Sequence, residues 1–436
     1  MLSLQLIREN PEAVRRGLAR RAADDAPLDD ILSLDARRRS TLQEVESIRA
    51  ERNALSKEVG QLTRLMKTAD TKEAKHAEHQ RSDLVARSTF LGDKLNSLEE
   101  QLRDSGGRLR DLLLLMPNLP ADSVPDGPDD SANVVLRTEG DPIEPTFHKP
   151  HWELGESLGI IDFERGSKLS GSRFYVLKGQ GARLQRALIT FMLDVHLRDG
   201  RYTEVYPPVM VKEENMLAAG QLPKFADNLY RDAEEDFWFI PTAEVPLTNL
   251  HRDEILEPGA LPLSYVAYTP CFRREKMSAG RDVRGIKRGH QFDKVELYRF
   301  VEPDRSAEAL HDLVRDAEAV CNALEIPHRT LRLCTGDLGF NAVEAFDIEM
   351  WAPGCREWLE VSSCSNCTDF QARRANIRYR KEKGARPEHP HTLNGSGLGL
   401  PRTLIAVLEN YQQPDGSVVV PEALRPYMGG LERITA

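Results

Sequence analysis

The chain has 436 residues and six cysteines, and none of the six precedes position 271. That distribution supplies no regular disulfide framework and predicts a reducing, cytoplasmic setting. Cys364 and Cys367 form a lone C-x-x-C; with no second pair at metal spacing, free thiols are expected rather than zinc. Long hydrophobic runs are missing too. The longest aliphatic stretch, Leu112 to Met116, is far too short to cross a bilayer. The opening MLSLQLIRENPEAVRR turns polar early and lacks the apolar centre of a secretory signal. No Walker-type glycine loop occurs and no GxGxxG follows a strand, so the two commonest nucleotide-binding folds lose support.

What remains is an ordinary globular composition, 40% hydrophobic and 29% charged, long enough for two domains. The formal net charge of −10 argues against a nonspecific nucleic-acid binder. Residues 37–94 run against that trend, with thirteen Lys/Arg against nine Asp/Glu. One segment is therefore locally basic on an acidic chain.

This basic segment lies within two heptad seams. Apolar residues fall at Ile31, Leu34, Val45, Ile48, Leu55, Val59, Leu62 and Met66, in steps of three and four once Arg38, Thr41 and Arg52 are counted in register. A second set falls at Leu84, Leu91, Leu95, Leu98, Leu102, Leu109, Leu112 and Met116, with Ser88 and Ser105 in register. Two seams separated by a polar stretch predict an antiparallel coiled-coil hairpin. Roughly 36 residues at about 1.5 Å each make an arm on the order of 50 Å long. Gly106-Gly107 marks an expected bend.

Pro117 ends the second helix, and 117–135, rich in Pro, Asp and Ser, reads as a linker. Beyond about residue 150 the pattern changes. A helix over 182–197 is followed by a strand that stops at Pro207-Pro208. Strand-like runs follow near 236–240, 263–268, 293–301, 329–334, 345–350 and 357–362, with a helix over 305–325. Short connections between strands predict an α+β domain, an antiparallel sheet with helices packed on it. The expected division is a helical region 1–116, a linker 117–149 and a main domain 150–436.

Two segments carry chemistry. In CFRREKMSAGRDVRGIKRGHQFDKVE (271–296) cations crowd both flanks and the loop, close to Glu275, Asp282, Asp293 and Glu296. Arg273 and Glu275 share strand parity, as do Phe292 and Glu296, which would direct a guanidinium, a ring and two carboxylates to one cleft. Arg donates in planar pairs suited to phosphate or carboxylate, and a flat ring suits a nucleobase. Alone, the segment reads first as a salt-bridged hairpin, and other segments reverse that reading. In HTLNGSGLGLPRTLIAVLENYQ (391–412) a glycine-rich turn opens a helix with Pro401 at its start and Arg402 beside it, an arrangement open to phosphate or to a simple cap.

Taken in order, the Pro-Pro strand, FRRE…HQFDKVE and GLGLPR resemble motifs 1, 2 and 3 of the class II aminoacyl-tRNA synthetases. IPTAEVPLTNL (240–250), CTGDLGF (334–340), SSCSNCTDFQARR (362–374) and TLNGSGL (392–398), behind a coiled-coil arm, are similar to the bacterial-type seryl-tRNA synthetases. The resemblance covers essentially the whole chain. It departs from the commoner family pattern at REKMSAG in motif 2 and at GLGLPR in motif 3, neither of which removes a charged functional position.

The resemblance implies a class II catalytic domain preceded by a tRNA-binding arm, using ATP and Mg²⁺. Arg273 and Arg402 take the catalytic positions. Arg273, Arg274, Glu275, Phe292, Glu360, Val361, Ser362, Ser363 and Arg402 match ATP-binding positions, with Phe292 at the adenine. Glu360 and Ser363 match the metal ligands. Thr242, Ala243, Glu244, Arg273, Glu296, Asn394 and Ser396 match the serine pocket. Implied partners are L-serine, tRNA(Ser) and tRNA(Sec), and a second copy of the chain through motif 1, where Pro207 or Pro208 is the key proline. A membrane is not implied. A related alternative is an enzyme that activates an amino acid for a carrier protein; such relatives lack the arm.

Overall fold

The structure is a computed structural model and describes residues 1–68, 70–276 and 284–436. The chain divides into two compact units: one comprises 7–9 and 25–116, the other 1–6, 10–24 and 117–436.

The first unit is built on helices α1 (Leu28–Thr68) and α2 (Thr71–Leu115), with Asp70 capping α2 through its side chain. Val45, Ile48 and Leu55 of α1 pack with Leu91, Leu95 and Leu98 of α2 in one apolar seam. Lys94 pairs with Glu44 and Arg87 with Glu51. A step up one helix thus matches an equal step down the other, which makes the pair antiparallel. Burial of the seam rather than intrinsic propensity holds such a pair together. α2 continues through Gly106 and Gly107, where a bend was expected.

The second unit is organised on an eight-stranded sheet: β1 (Val134–Glu139), β2 (Thr203–Glu204), β3 (Leu263–Phe272), β4 (Gln291–Val301), β5 (His328–Arg332), β6 (Glu344–Ala352), β7 (Glu357–Thr368) and β8 (His391–Gly399). Their order across the sheet is β1-β5-β6-β7-β8-β4-β3-β2. Every pairing is antiparallel except β2 with β3.

Alternation along the strands separates two faces. Val295 and Leu297 of β4, Cys364 of β7 and Leu393 of β8 enter the main core. There they meet Leu184 and Leu188 of α4 (Gly179–Leu197), Leu310 and Leu313 of α5 (Ser306–Ala323) and Leu404 and Val407 of α6 (Leu400–Asn410). α3 (His151–Ser157) joins this core through Leu154. On the other face Phe292, Lys294 and Glu296 of β4 stay polar or aromatic, and Tyr298 and Phe300 continue into a second apolar cluster.

Two segments differ from the sequence expectation. His391–Gly399 is not a turn but β8, a central strand. Its glycines serve close packing: a Cβ at Gly395 would lie 2.8 Å from Cys364 Sγ, and one at Gly397 would lie 2.5 Å from His196 Nε2. The stretch read as a free linker is docked, since Asn118 donates to the carbonyls of Asn341 and Cys367 and β1 pairs with β5. Among the described residues no helix is long and apolar enough to cross a membrane.

Candidate active site

The polar face encloses a cavity of about 560 Å³. Of the sequence-predicted residues, Thr242, Glu244, Arg273, Glu275, Phe292, Glu296, Glu360, Val361, Ser363, Asn394, Ser396 and Arg402 line it. They come from five separate stretches of chain, and only the sheet brings them together.

The position of each side chain follows from register. Cys271 pairs with Phe292 across β3 and β4, which sets Phe292 beside Arg273; the guanidinium lies 5.1 Å from the ring centre. Arg273 Nε also donates to the Pro241 carbonyl at 3.2 Å. Arg273 and Glu275 lie beyond the end of β3, and Glu275 has φ +52°, so a turn of the backbone rather than strand parity directs them to one cavity. Arg288 approaches Glu275 at 3.8 Å.

Glu360 and Ser363 are three apart and would face opposite sides of a regular strand. In β7 the pairing with β6 slips between Ile348 and Glu349, so Val361 is an extra residue and both side chains reach the cavity. Arg402, in the first turn of α6, donates to the Glu360 carbonyl at 2.7 Å and lies 3.2 Å from its carboxylate.

The deeper end is more enclosed. Glu296 pairs directly with Ser396 across β4 and β8. Thr242 donates to Glu296 at 3.2 Å, Lys294 donates to Thr242 at 2.7 Å, and Lys294 also forms an ion pair with Glu296. Glu244 accepts from Gln371 at 2.5 Å and from Asn394 at 3.2 Å. Burial, with the Glu296 charge beside it, pushes the Glu244 carboxyl up to about 7 against the pull of Lys294, Gln371 and Arg273. Burial likewise raises Glu296, opposed by Lys294.

Three predicted residues do not line the cavity. Ala243 is in the second apolar cluster. Ser362 sits on the opposite side of β7 from Ser363, donating to the Ser396 carbonyl at 2.6 Å. Arg274 turns toward the Tyr230 ring. Cys364 enters the main core while Cys367 lines the cavity, so the C-x-x-C pair is split between two faces. Asp282 and the part of REKMSAG from Met277 onward lie outside the described residues. The sequence reading missed Lys294, Lys287 and Arg288, all on the wall. Lys294 was within reach, because it shares the parity of Phe292 and Glu296 on one strand.

A class II aminoacyl-tRNA synthetase is what this sheet and cavity describe, and comparison with known proteins agrees. The tRNA synthetase class II core domain (G, H, P, S and T) matches residues 225–411, and the seryl-tRNA synthetase N-terminal domain matches residues 1–120. The serine–tRNA ligase of Roseiflexus sp. (strain RS-1) is 61% identical over 435 residues, covering 100% of this chain and 99% of that protein. Seryl-tRNA synthetase from Pyrococcus horikoshii, solved with ATP, superposes with a TM-score of 0.91 at 38% identity, over 100% of this chain and 99% of that one. The cytoplasmic serine–tRNA ligase of Naegleria fowleri, solved with AMP, gives a TM-score of 0.86 at 32% identity, over 100% of this chain and 99% of that one. The chain belongs to the seryl-tRNA synthetase family, whose members are ATP- and Mg²⁺-dependent ligases.

Proposed function

We propose that the cavity performs both half-reactions of serine–tRNA ligation. In the first, a serine carboxylate oxygen attacks the α-phosphorus of ATP, the bond to the bridging oxygen breaks, and pyrophosphate leaves. In the second, a ribose hydroxyl at the 3′ end of tRNA(Ser) attacks the acyl carbon, AMP departs with the bonding electrons, and the hydroxyl proton is released. The observation that carries this reading is one cavity holding Arg273, Phe292, Glu360 and Arg402 beside the Glu296–Ser396 pair.

Attack of an anion on a polyanion is opposed by charge repulsion. Arg273 and Arg402, fixed beforehand by hydrogen bonds, offset that charge where it develops. The free face of Phe292 is offered to adenine. Glu296 and Ser396 read the serine hydroxyl, and Glu244 with Thr242 holds the ammonium. An analogue without the hydroxyl leaves buried polar groups unpaired, which costs up to ~10⁴–10⁵ in favourable cases. Ala243, Arg274 and Ser362 act from behind the wall in this reading.

The residues at the nucleotide end fit Mg²⁺. Glu360 and Ser363 offer oxygen donors, and beside them Asp347, whose carboxyl is raised by burial and by Glu360, has a buried oxygen without a partner. Bound there, the ion would neutralise phosphate charge. The same reading assigns 1–116 to tRNA recognition, 117–149 to connection and 150–436 to catalysis. It extends to tRNA(Sec), to the cytoplasm and to a homodimer through motif 1, where Tyr206 is 92% exposed beside Pro207 and Pro208.

The test is ATP–pyrophosphate exchange with each of the twenty amino acids, followed by transfer to purified tRNA. Serine alone should support exchange and tRNA(Ser) should be charged. Exchange without transfer to any tRNA would instead favour the carrier-protein alternative.

A further inference from the structure

Behind the cavity, His151, Cys355 and Glu409 form a buried polar cluster that none of the proposed reaction steps uses. His151 and Glu409 have no exposed side-chain surface. The hydrogen bonds fix their protonation. The Ile286 N–H donates to His151 Nε2 at 3.1 Å, so that nitrogen carries a lone pair. His151 Nδ1, 3.1 Å from Glu409 Oε1, therefore carries the proton and donates it. Glu409 Oε1 also accepts from the His151 backbone N–H at 2.8 Å and from the Cys355 thiol at 3.0 Å, while Oε2 accepts from the Cys355 N–H at 2.9 Å. Every donor in the cluster is matched by an acceptor. That makes the chain of contacts rigid and directional.

What the chain reaches is the downstream flank of the motif 2 loop. Gly285 has φ +72°, and a Cβ there would lie 2.0 Å from His151 Nε2, so backbone and ring are in direct contact. Ile286 is fully buried in the main core, and the next three residues, Lys287, Arg288 and Gly289, line the cavity. Arg284 lies over the Trp152 ring, next to His151. Glu409 belongs to α6, the helix that carries Arg402 at its other end.

We propose that His151 is a positioning residue: its neutral imidazole ties the motif 3 helix, through Glu409, to the Ile286 amide and so sets Lys287 and Arg288 at the nucleotide end of the cavity. This rests on the reading of that cavity as the ATP site. The serine end, formed by Glu244, Glu296 and Ser396, is reached by other elements and is not touched by the cluster.

The test compares H151A, H151Q and G285A in serine-dependent ATP–pyrophosphate exchange, with thermal melting as the check on folding. H151A and G285A should raise the KM for ATP by roughly tenfold, the scale of one lost buried hydrogen bond to a charge-linked group, with the KM for serine within about twofold of its original value. H151Q, whose amide oxygen can accept the Ile286 N–H, should recover most of the loss. G285A decides the matter if H151A does not fold. An unchanged ATP KM in G285A, a parallel rise in both KM values, or no rescue by H151Q beside an impaired H151A would overturn the proposal. Hydrogen–deuterium exchange of the 284–290 peptide separates the two readings: it should speed up in H151A even if the wild-type chain fails to activate serine, an outcome that would sink the ATP assignment alone.

Discussion

The helical pair and the sheet face hold their functional residues in opposite ways. In α1 and α2 one repeating seam, Val45 to Leu98, sets the structure, and the charged residues around it form simple pairs such as Lys94 with Glu44. A single change there alters one rung of a ladder. On the sheet face the critical residues are held by several different devices. Phe292 depends on strand register, Glu275 on a left-handed backbone turn, Glu360 with Ser363 on a bulge, and Arg402 on a helix start. Repetition tolerates error; a convergent site does not. The first region suits an extended, charge-matched partner, and the second suits a small ligand whose position must be fixed closely.

That contrast can be broken most sharply at the serine pocket. Glu296→Ala removes the carboxylate paired with Lys294 and facing Ser396. Serine-over-alanine preference in pyrophosphate exchange should collapse from as much as ~10⁴ toward parity; undiminished preference would mean that another group reads the hydroxyl. Excision of 30–115 should cut charging of tRNA(Ser) by roughly a thousandfold, the scale of several lost phosphate contacts, while exchange persists. Arg273→Ala should do the reverse of a selective defect and lower exchange and charging together by about 10²–10³.

A smaller effect comes from Glu244. Its carboxyl, raised to about 7 by burial and by Glu296, is neutral below that pH in the free protein and ionised above it. A serine ammonium favours the ionised form, so the KM for serine should fall as pH climbs through about 7, by up to about tenfold per unit on the acid side. Glu244→Gln should flatten that profile. Smallest for activity is Leu95→Ala in the helical seam, expected to cost about 2 kcal/mol in the melting of that unit with no change in exchange.

Legibility in the sequence followed the same divide. The seam residues announced themselves by spacing because each repeats its neighbour's environment. The strand-like runs at 263–268, 293–301, 345–350 and 357–362 fall within β3, β4, β6 and β7, and the parity of Phe292 and Glu296 was legible too. Lys294 was skipped although its parity is the same. Bulges carry no local signature, so spacing alone did not account for Glu360 and Ser363 sharing a face. β8 was hidden because its glycines answer to Cys364 and His196, which lie far away in the chain. Resemblance to a family supplied those positions; periodicity did not.

The most direct measurement is a crystal structure of the protein with a non-hydrolysable seryl-adenylate analogue. The adenine should lie on Phe292, the phosphate between Arg273 and Arg402, and the seryl hydroxyl against Glu296 and Ser396. An analogue bound with its phosphate away from both arginines, or with its hydroxyl turned from Glu296, would contradict that assignment.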